Sequence, residues 1–446
     1  MKGIRYVFPV VLVSAIWFIT PAPLRADEIS DLKEQLEAAK QLIMNLEQRI
    51  EQLEQKQAPG VQAAAPGASD RAESAEPEME AEGSFEIYGF AQTDVIQDFN
   101  RVDPDWNATL RPSKIPTAEG VYGSDGETVF SVRQTRLGVA SDLPTPYGDF
   151  GAKLEIDFFG VGSDAGQTTV HPRHFYGELG SLLVGQTHSL FMDINVFPNT
   201  IDYWGPPGMV FLRHPQVRWT VFSGDYTFAV ALEEPGNDVS WAVGDAPELY
   251  GSLQSKNELP DLTGQINYLN DWGYIQLGAI VRQVGFETTG GVRDLEDDSL
   301  GWGFNLSSNI NTFGSDRLIL STVYGEAIAS YMNDGGNDLI VVDGQAQTLP
   351  LLGVVAYYDH YWTDSLSSSV GYSFTRVDNN DRQTPDSFKL GQYSSVNLLW
   401  TPTANTMFGV EYLWGALEDK NGDTGEDHRV QFSFKYSFDQ LFPVSL

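Results

Sequence analysis

The chain has 446 residues, no cysteine, and 61 acidic against 27 basic side chains, for a formal net charge of −34. Lack of cysteine excludes disulfide staples and thiolate metal sites. Such acidity excludes a nucleic-acid partner, because a phosphate backbone is bound by positive surfaces.

Residues 1–26 carry Lys2 and Arg5, an apolar run from Val7 to Ile19, then Pro21, Pro23 and the small Ala26. This is the layout of a secretory signal peptide cleaved after Ala26. The run is too short for a membrane-spanning helix, which needs about 20 residues. No other run qualifies, so residence in a membrane requires a barrel. Over 27–57, Ile29, Leu36, Ile43 and Ile50 share one heptad position, and Leu32, Ala39, Leu46 and Leu53 share the other. Unbroken heptads predict a coiled coil. A lone amphipathic helix lying on a membrane would want a basic polar face, and this one is mixed. Ile and Leu at the two core positions suit a dimer, while Leu42 widens the apolar face towards a trimer. Residues 58–83 shift to Ala, Pro, Gly and Glu, a linker composition.

From 84 to 438 the chain reads as sixteen period-two segments. They lie near 85–97, 127–141, 149–160, 171–180, 182–190, 215–223, 226–234, 259–270, 273–284, 300–311, 316–328, 350–362, 364–377, 387–401, 405–416 and 428–438. Turns after even-numbered segments are short (144–148, 180–181, 224–225, 270–272, 312–315, 363 and 402–404). Connections after odd-numbered segments are longer. A soluble sandwich has no reason to sort its loops this way, whereas an outer-membrane barrel has short periplasmic turns, long external loops and an even strand count. The predicted fold is therefore all-β: a 16-stranded antiparallel transmembrane barrel with an aqueous lumen, preceded by an α-helical coiled coil. The compartment is the outer membrane of a Gram-negative bacterium, with the coiled coil in the periplasm. Residues 439–446 read as a periplasmic tail.

The faces follow from parity. In the third segment Phe150, Ala152, Leu154, Ile156 and Phe158 oppose Asp149, Lys153, Glu155 and Asp157. In the last, Val430, Phe432, Phe434, Tyr436 and Phe438 oppose Gln431, Ser433, Lys435 and Ser437. The charged parity faces the lumen, because a basic residue at the lipid midplane costs about 2–4 kcal/mol.

Gln134-Thr-Arg-Leu-Gly138, Lys153-Leu-Glu-Ile-Asp-Phe158, Arg173-His174, Leu183-Val-Gly-Gln-Thr187, Pro215-Gln-Val-Arg-Trp219, Gly409-Val-Glu-Tyr412 and Arg429…Lys435-Tyr-Ser-Phe438 occur in this order behind the coiled coil. The ordered set resembles the DcaP-like trimeric outer-membrane porins over nearly the whole mature chain. The resemblance implies a homotrimer of sixteen-stranded barrels passing small anionic solutes such as dicarboxylates. Such barrels end at the final aromatic, and the extra residues after Phe438 depart from that pattern.

Within the lumen, Leu137 and Val139 outward put Arg136 in water, and Val217 and Trp219 outward do the same for Gln216, Arg218 and Thr220. The connection 191–214 resembles the loop that narrows general porins and offers Asp193, Asp202 and Arg213. Lys153, Glu155, Asp157 and Gln186 complete the expected lining. Guanidinium groups at a constriction would hold carboxylates by bidentate bonds; the competing reading is that they merely pair with Glu155 and Asp157. The parity of Arg173 is ambiguous. Arg133 has outward parity, which suits a rim or trimer interface, and Arg429, near a strand end, is expected to matter little.

No cofactor is expected. His171 and His174 flank Pro172 without a ligand set, and 419–423 imitates a calcium loop but lacks its Gly and its closing Glu. Expected partners are outer-membrane lipids and lipopolysaccharide, the barrel-assembly machinery and small anions. Alternatives are a phosphate-type anion channel, which would want many lumen lysines, a structural tether, or a barrel lipase with a Ser–His pair.

Overall fold

Sixteen strands close into one antiparallel barrel in the computed structural model, which describes residues 82–244, 252–290 and 294–445. The signal peptide, the coiled coil and the linker as far as residue 81 lie outside the described residues. The strands are β1 (Glu82–Asp98), β2 (Glu127–Ser131 continued as Arg136–Thr145), β3 (Gly148–Phe159) and β4 (Thr168–Leu179). Next come β5 (Leu182–His188), β6 (Arg213–Phe222), β7 (Tyr226–Glu233) and β8 (Asp261–Asn270). Then follow β9 (Gly273–Thr288), β10 (Glu296–Asn311), β11 (Arg317–Glu326) and β12 (Pro350–Thr363). The wall ends with β13 (Leu366–Val377), β14 (Phe388–Thr403), β15 (Thr406–Asp419) and β16 (Thr424–Ser445). Each predicted segment has its strand. β1 and β16 pair from Glu82↔Ser445 to Asp98↔Arg429 and seal the wall, leaving no open seam.

Parity sets the two faces. On β16, Phe432 and Phe434 are 53% and 42% exposed to the lipid side, while Gln431 and Ser433 are buried inside. Exposed Trp362, Trp400, Phe408 and Tyr436 gather at the ends bearing the short turns, where an aromatic girdle belongs.

Four local features differ from expectation. First, β16 does not stop at Phe438: Asp439 to Ser445 continue as strand paired with Tyr88 to Glu82, so the expected tail is wall. The alternation weakens there, which hid the strand. Second, β15 and β16 are joined by only 420–423, because the acidic stretch expected as a loop is taken up by a taller hairpin. Third, β2 is interrupted at 132–135, where the Thr135 N–H donates to the Val132 carbonyl at 3.0 Å. The turn reverses the parity of Arg133, which is 4% exposed and lies inside, not at a rim or trimer interface. Its guanidinium sits 3.9 Å over the Phe159 ring and donates to the Gly160 carbonyl at 2.9 Å.

Fourth, β4 is bulged. Glu155 pairs with His174 but Ile156 with Pro172, so Arg173 is the extra residue. A bulge re-aims side chains, and here both Arg173 and His174 turn inward. This resolves the ambiguous parity of Arg173. Above the wall, the external loops carry a small sheet of Val239–Trp241, Leu339–Val342 and Gln345–Thr348, packed on Phe286 and Leu295.

Candidate functional site: the lumen and its constriction

The connection between β5 and β6 enters the lumen and travels around its wall, tied at each stage by a side chain of inward parity. Glu233 on β7 accepts from the Ser189 hydroxyl and the Leu190 N–H, both at 3.0 Å. Asp193 accepts from Tyr274 on β9 and Ser307 on β10 at 2.6 Å each. Asn397 on β14 donates to the Asn199 carbonyl at 2.7 Å. Glu411 on β15 accepts the Ile201 and Asp202 N–H groups at 3.1 Å each. Gln134 on β2 and Gln431 on β16 both donate to the Ile201 carbonyl at 3.0 Å. The Tyr203 hydroxyl then donates to Asp157 on β3 at 2.7 Å. Burial and the neighbouring Asp157 push the Tyr203 hydroxyl well above its usual pKa, so it remains a donor.

The loop returns across β12 and β13 through Gly208, whose N–H donates to Ser373 at 2.9 Å. A Cβ there would lie 2.3 Å from the Phe374 carbonyl oxygen and 2.4 Å from that of Val354, so only glycine permits this approach. Asp193 and Asp202 therefore anchor the loop. Asp202 is 3% exposed, accepts from Thr109, Leu110, Gly205 and Tyr393, and burial raises its pKa.

A second loop, 99–126, also folds inward, which sequence reasoning missed. Its Arg111 guanidinium lies 4.1 Å and 4.2 Å from the Trp106 and Trp204 rings and donates to Asp334 at 2.8 Å. Asp334 also accepts from Ser113 N–H and hydroxyl at 2.7 and 2.6 Å. Cation–π contacts and a saturated carboxylate hold the loop across the outer mouth. Its length and two of its three prolines, Pro104 and Pro112, each opening a short 3-10 turn, were the available signal.

Between these loops and the wall runs a cavity of about 610 Å³. Arg136, Arg173, Arg213 and Lys435 line it, together with Phe197, Phe211 and Tyr203 of the constriction loop. Arg173 spends its charge on Glu155 at 2.9 Å and Asp157 at 2.8 Å. Glu155 also stands 3.6 Å from Arg136 and 3.7 Å from Lys153. Among the described residues, Arg213 and Lys435 have no carboxylate at ion-pair distance, and Arg213 Nη1 is buried without a hydrogen-bond partner. Arg213 lies 5.2 Å from the Phe211 ring and Lys435 5.4 Å from the Phe90 ring. Gln186 lines the cavity and donates to the Pro172 and Arg173 carbonyls.

Arg218 faces inward as expected but is not among the cavity-lining residues. It is bound to Gln216 at 3.0 Å and to the His188 carbonyl. Lys435 was visible on the polar parity of the last strand, yet nothing in the sequence placed it beside Arg136. Among the described residues no group of His and carboxylate side chains is arranged to hold a metal ion.

A closed sixteen-stranded barrel with a lipid-facing apolar band and a loop-narrowed polar lumen defines an outer-membrane channel of the porin type. A family model, DcaP outer membrane protein, matches residues 21–438. The chain belongs to the DcaP outer membrane protein family. The outer membrane channel DcaP of Acinetobacter baumannii is 23% identical, with 80% of this chain and 97% of that chain covered and a TM-score of 0.69. An anion-selective porin from Comamonas acidovorans is 11% identical, with 80% and 100% covered and a TM-score of 0.54. A loop-deletion mutant of OmpT from Vibrio cholerae is 12% identical, with 80% and 99% covered and a TM-score of 0.51. No curated protein matches the chain.

Proposed function

We propose that the channel gives passive diffusion to small hydrophilic solutes and prefers anions, dicarboxylates among them. The observation that carries this reading is the pair Arg213 and Lys435, which line the lumen and, among the described residues, have no carboxylate at ion-pair distance. Arg136, only partly compensated at 3.6 Å, adds to the same side. Two cations lining one cavity suit a solute with two carboxylates, each able to take charge-assisted hydrogen bonds. The large negative net charge does not oppose this. Screening confines exposed charges to about 8–10 Å at physiological salt, so distant loop acids act weakly at the constriction. Among the described residues Lys435 is the one lysine lining the cavity, which speaks for a general anion channel over a lysine-rich phosphate channel.

Arg213→Ala is expected to weaken block by a dicarboxylate about tenfold, the loss of roughly 1.4 kcal/mol of charge-assisted bonding. Arg218→Ala is expected to change block little, because its guanidinium is held by backbone and Gln216. Equal effects of the two substitutions in planar-bilayer titrations would sink the assignment. Family membership supports a homotrimer, for which the expected mass in mild detergent is that of three chains; a monomeric mass would contradict it.

A further inference from the structure

One arginine stands on the wrong face. Along β13, Ser373, Thr375 and Val377 point inward: Ser373 accepts from Gly208, Thr375 donates to the Pro207 carbonyl, and Val377 joins the internal apolar cluster. Arg376 therefore shares the outward face with Val370, Tyr372 and Phe374. It is exposed, and among the described residues it has no hydrogen bond or ion pair. The residues opposite it on the neighbouring strands are Leu352 of β12 and Leu390 of β14. An unpaired guanidinium among lipid-facing apolar side chains is expensive unless it lies at the membrane boundary and meets an anion there.

Its height fits that boundary. Leu366 begins β13 opposite Trp400, which stacks on Phe408 at 5.6 Å in the periplasmic girdle. From Leu366 to Arg376 the strand rises about 3.3 Å per residue, or roughly 23 Å along the barrel axis at a tilt near 45°. The apolar band of such barrels is roughly 25 Å tall. Arg376 thus sits where the acyl chains of the outer leaflet end and its headgroups begin.

We propose that Arg376 binds a phosphate group of an outer-leaflet lipopolysaccharide molecule whose acyl chains lie on Leu352, Leu390 and Phe374. The guanidinium fork suits a phosphate, and the apolar flanks suit a ligand that joins phosphate to hydrocarbon rather than a free ion. The next cation, Lys389, precedes Leu390 and is paired with Glu418 at 2.7 Å. Glu418 therefore limits the charge available to the lipid, and Glu418→Gln should release Lys389 as a second phosphate contact.

The test uses full-length protein extracted from outer membranes in mild detergent, with bound lipopolysaccharide measured by native mass spectrometry. Arg376→Gln is expected to lower retained lipopolysaccharide several-fold, Arg376→Lys to fall between, and Glu418→Gln to raise it. Arg382→Gln, removing an external-loop arginine bonded to Asp343, should leave it unchanged. Purified lipid A should raise the unfolding temperature of the wild type but not of Arg376→Gln, and dephosphorylated lipid A should fail on both. Retention by Arg376→Gln equal to wild type overturns the proposal. So does equal protection by inorganic phosphate, which would indicate an adventitious ion only. If Arg376→Gln does not assemble, the Arg376→Lys and Glu418→Gln arms decide: retention unmoved by both overturns the proposal.

Discussion

Arg429→Ala is expected to cost the barrel about 3–5 kcal/mol, because it leaves buried carboxylates without their cation. Sequence position alone put Arg429 near a strand end and made it look dispensable. In the structure its side chain is fully buried, with Nη2 at 2.7 Å from Asp98 and 2.9 Å from Asp427. It also donates to the Asn107 carbonyl at 3.2 Å, tying the seam between β1 and β16 to the inward loop 99–126. Removing it strands Asp98 and Asp427 together on the closing strands. The expected result is a large fall in the temperature at which folded barrel is lost on semi-native gels. Asp98→Asn with Asp427→Asn in the same chain should recover part of the loss, since neutral amides no longer repel. An unchanged melting temperature for Arg429→Ala would show that water reaches the pair and replaces the guanidinium.

Glu411→Ala is expected to loosen the constriction more than any change in the loop's own apolar residues. Glu411 is fully buried and accepts from the Ile201 and Asp202 N–H groups and from Asn397 at 2.8 Å. A buried donor left unsatisfied costs about 1–3 kcal/mol, so three of them make the seated loop unfavourable by several kcal/mol. The turn around Ile201 should leave the wall. Single-channel conductance should then rise and show additional long-lived levels, while the β-sheet signal is retained. Conductance equal to wild type would mean that Gln134 and Gln431, both bonded to the Ile201 carbonyl, hold the turn without Glu411.

Much of the wall was legible because lipid on one side and water on the other impose a two-residue period that few other environments demand. The alternation of Phe432 and Phe434 with Gln431 and Ser433 is a direct imprint of that boundary. Local breaks in the period were not legible. The turn at 132–135 and the bulge at Arg173 each shift parity by one residue, and parity arguments fail silently at such points. Thus Arg133 was assigned to the outside and Arg173 to neither face. The constriction loop was recognised from its place after the fifth strand, but the roles of Asp193 and Asp202 depend on Tyr274, Ser307, Thr109 and Tyr393, residues distant in sequence. For the same reason Glu155 could be named as a partner of lumen arginines, while the difference between neutralised Arg173 and uncompensated Arg213 could not be read. Lys435 illustrates the limit best: its face was evident, its neighbours were not.

We propose that Arg213 and Lys435 at the constriction outweigh the acidity of the chain. The decisive experiment is the zero-current potential of single channels in a salt gradient, for the wild type and for Arg213→Ala combined with Lys435→Ala. The wild type is expected to reverse on the anion side of neutrality, and the double variant to move towards cations, with a several-fold fall in the anion-to-cation permeability ratio. A wild-type channel firmly on the cation side, unmoved by the double substitution, would show that these two cations do not set the selectivity.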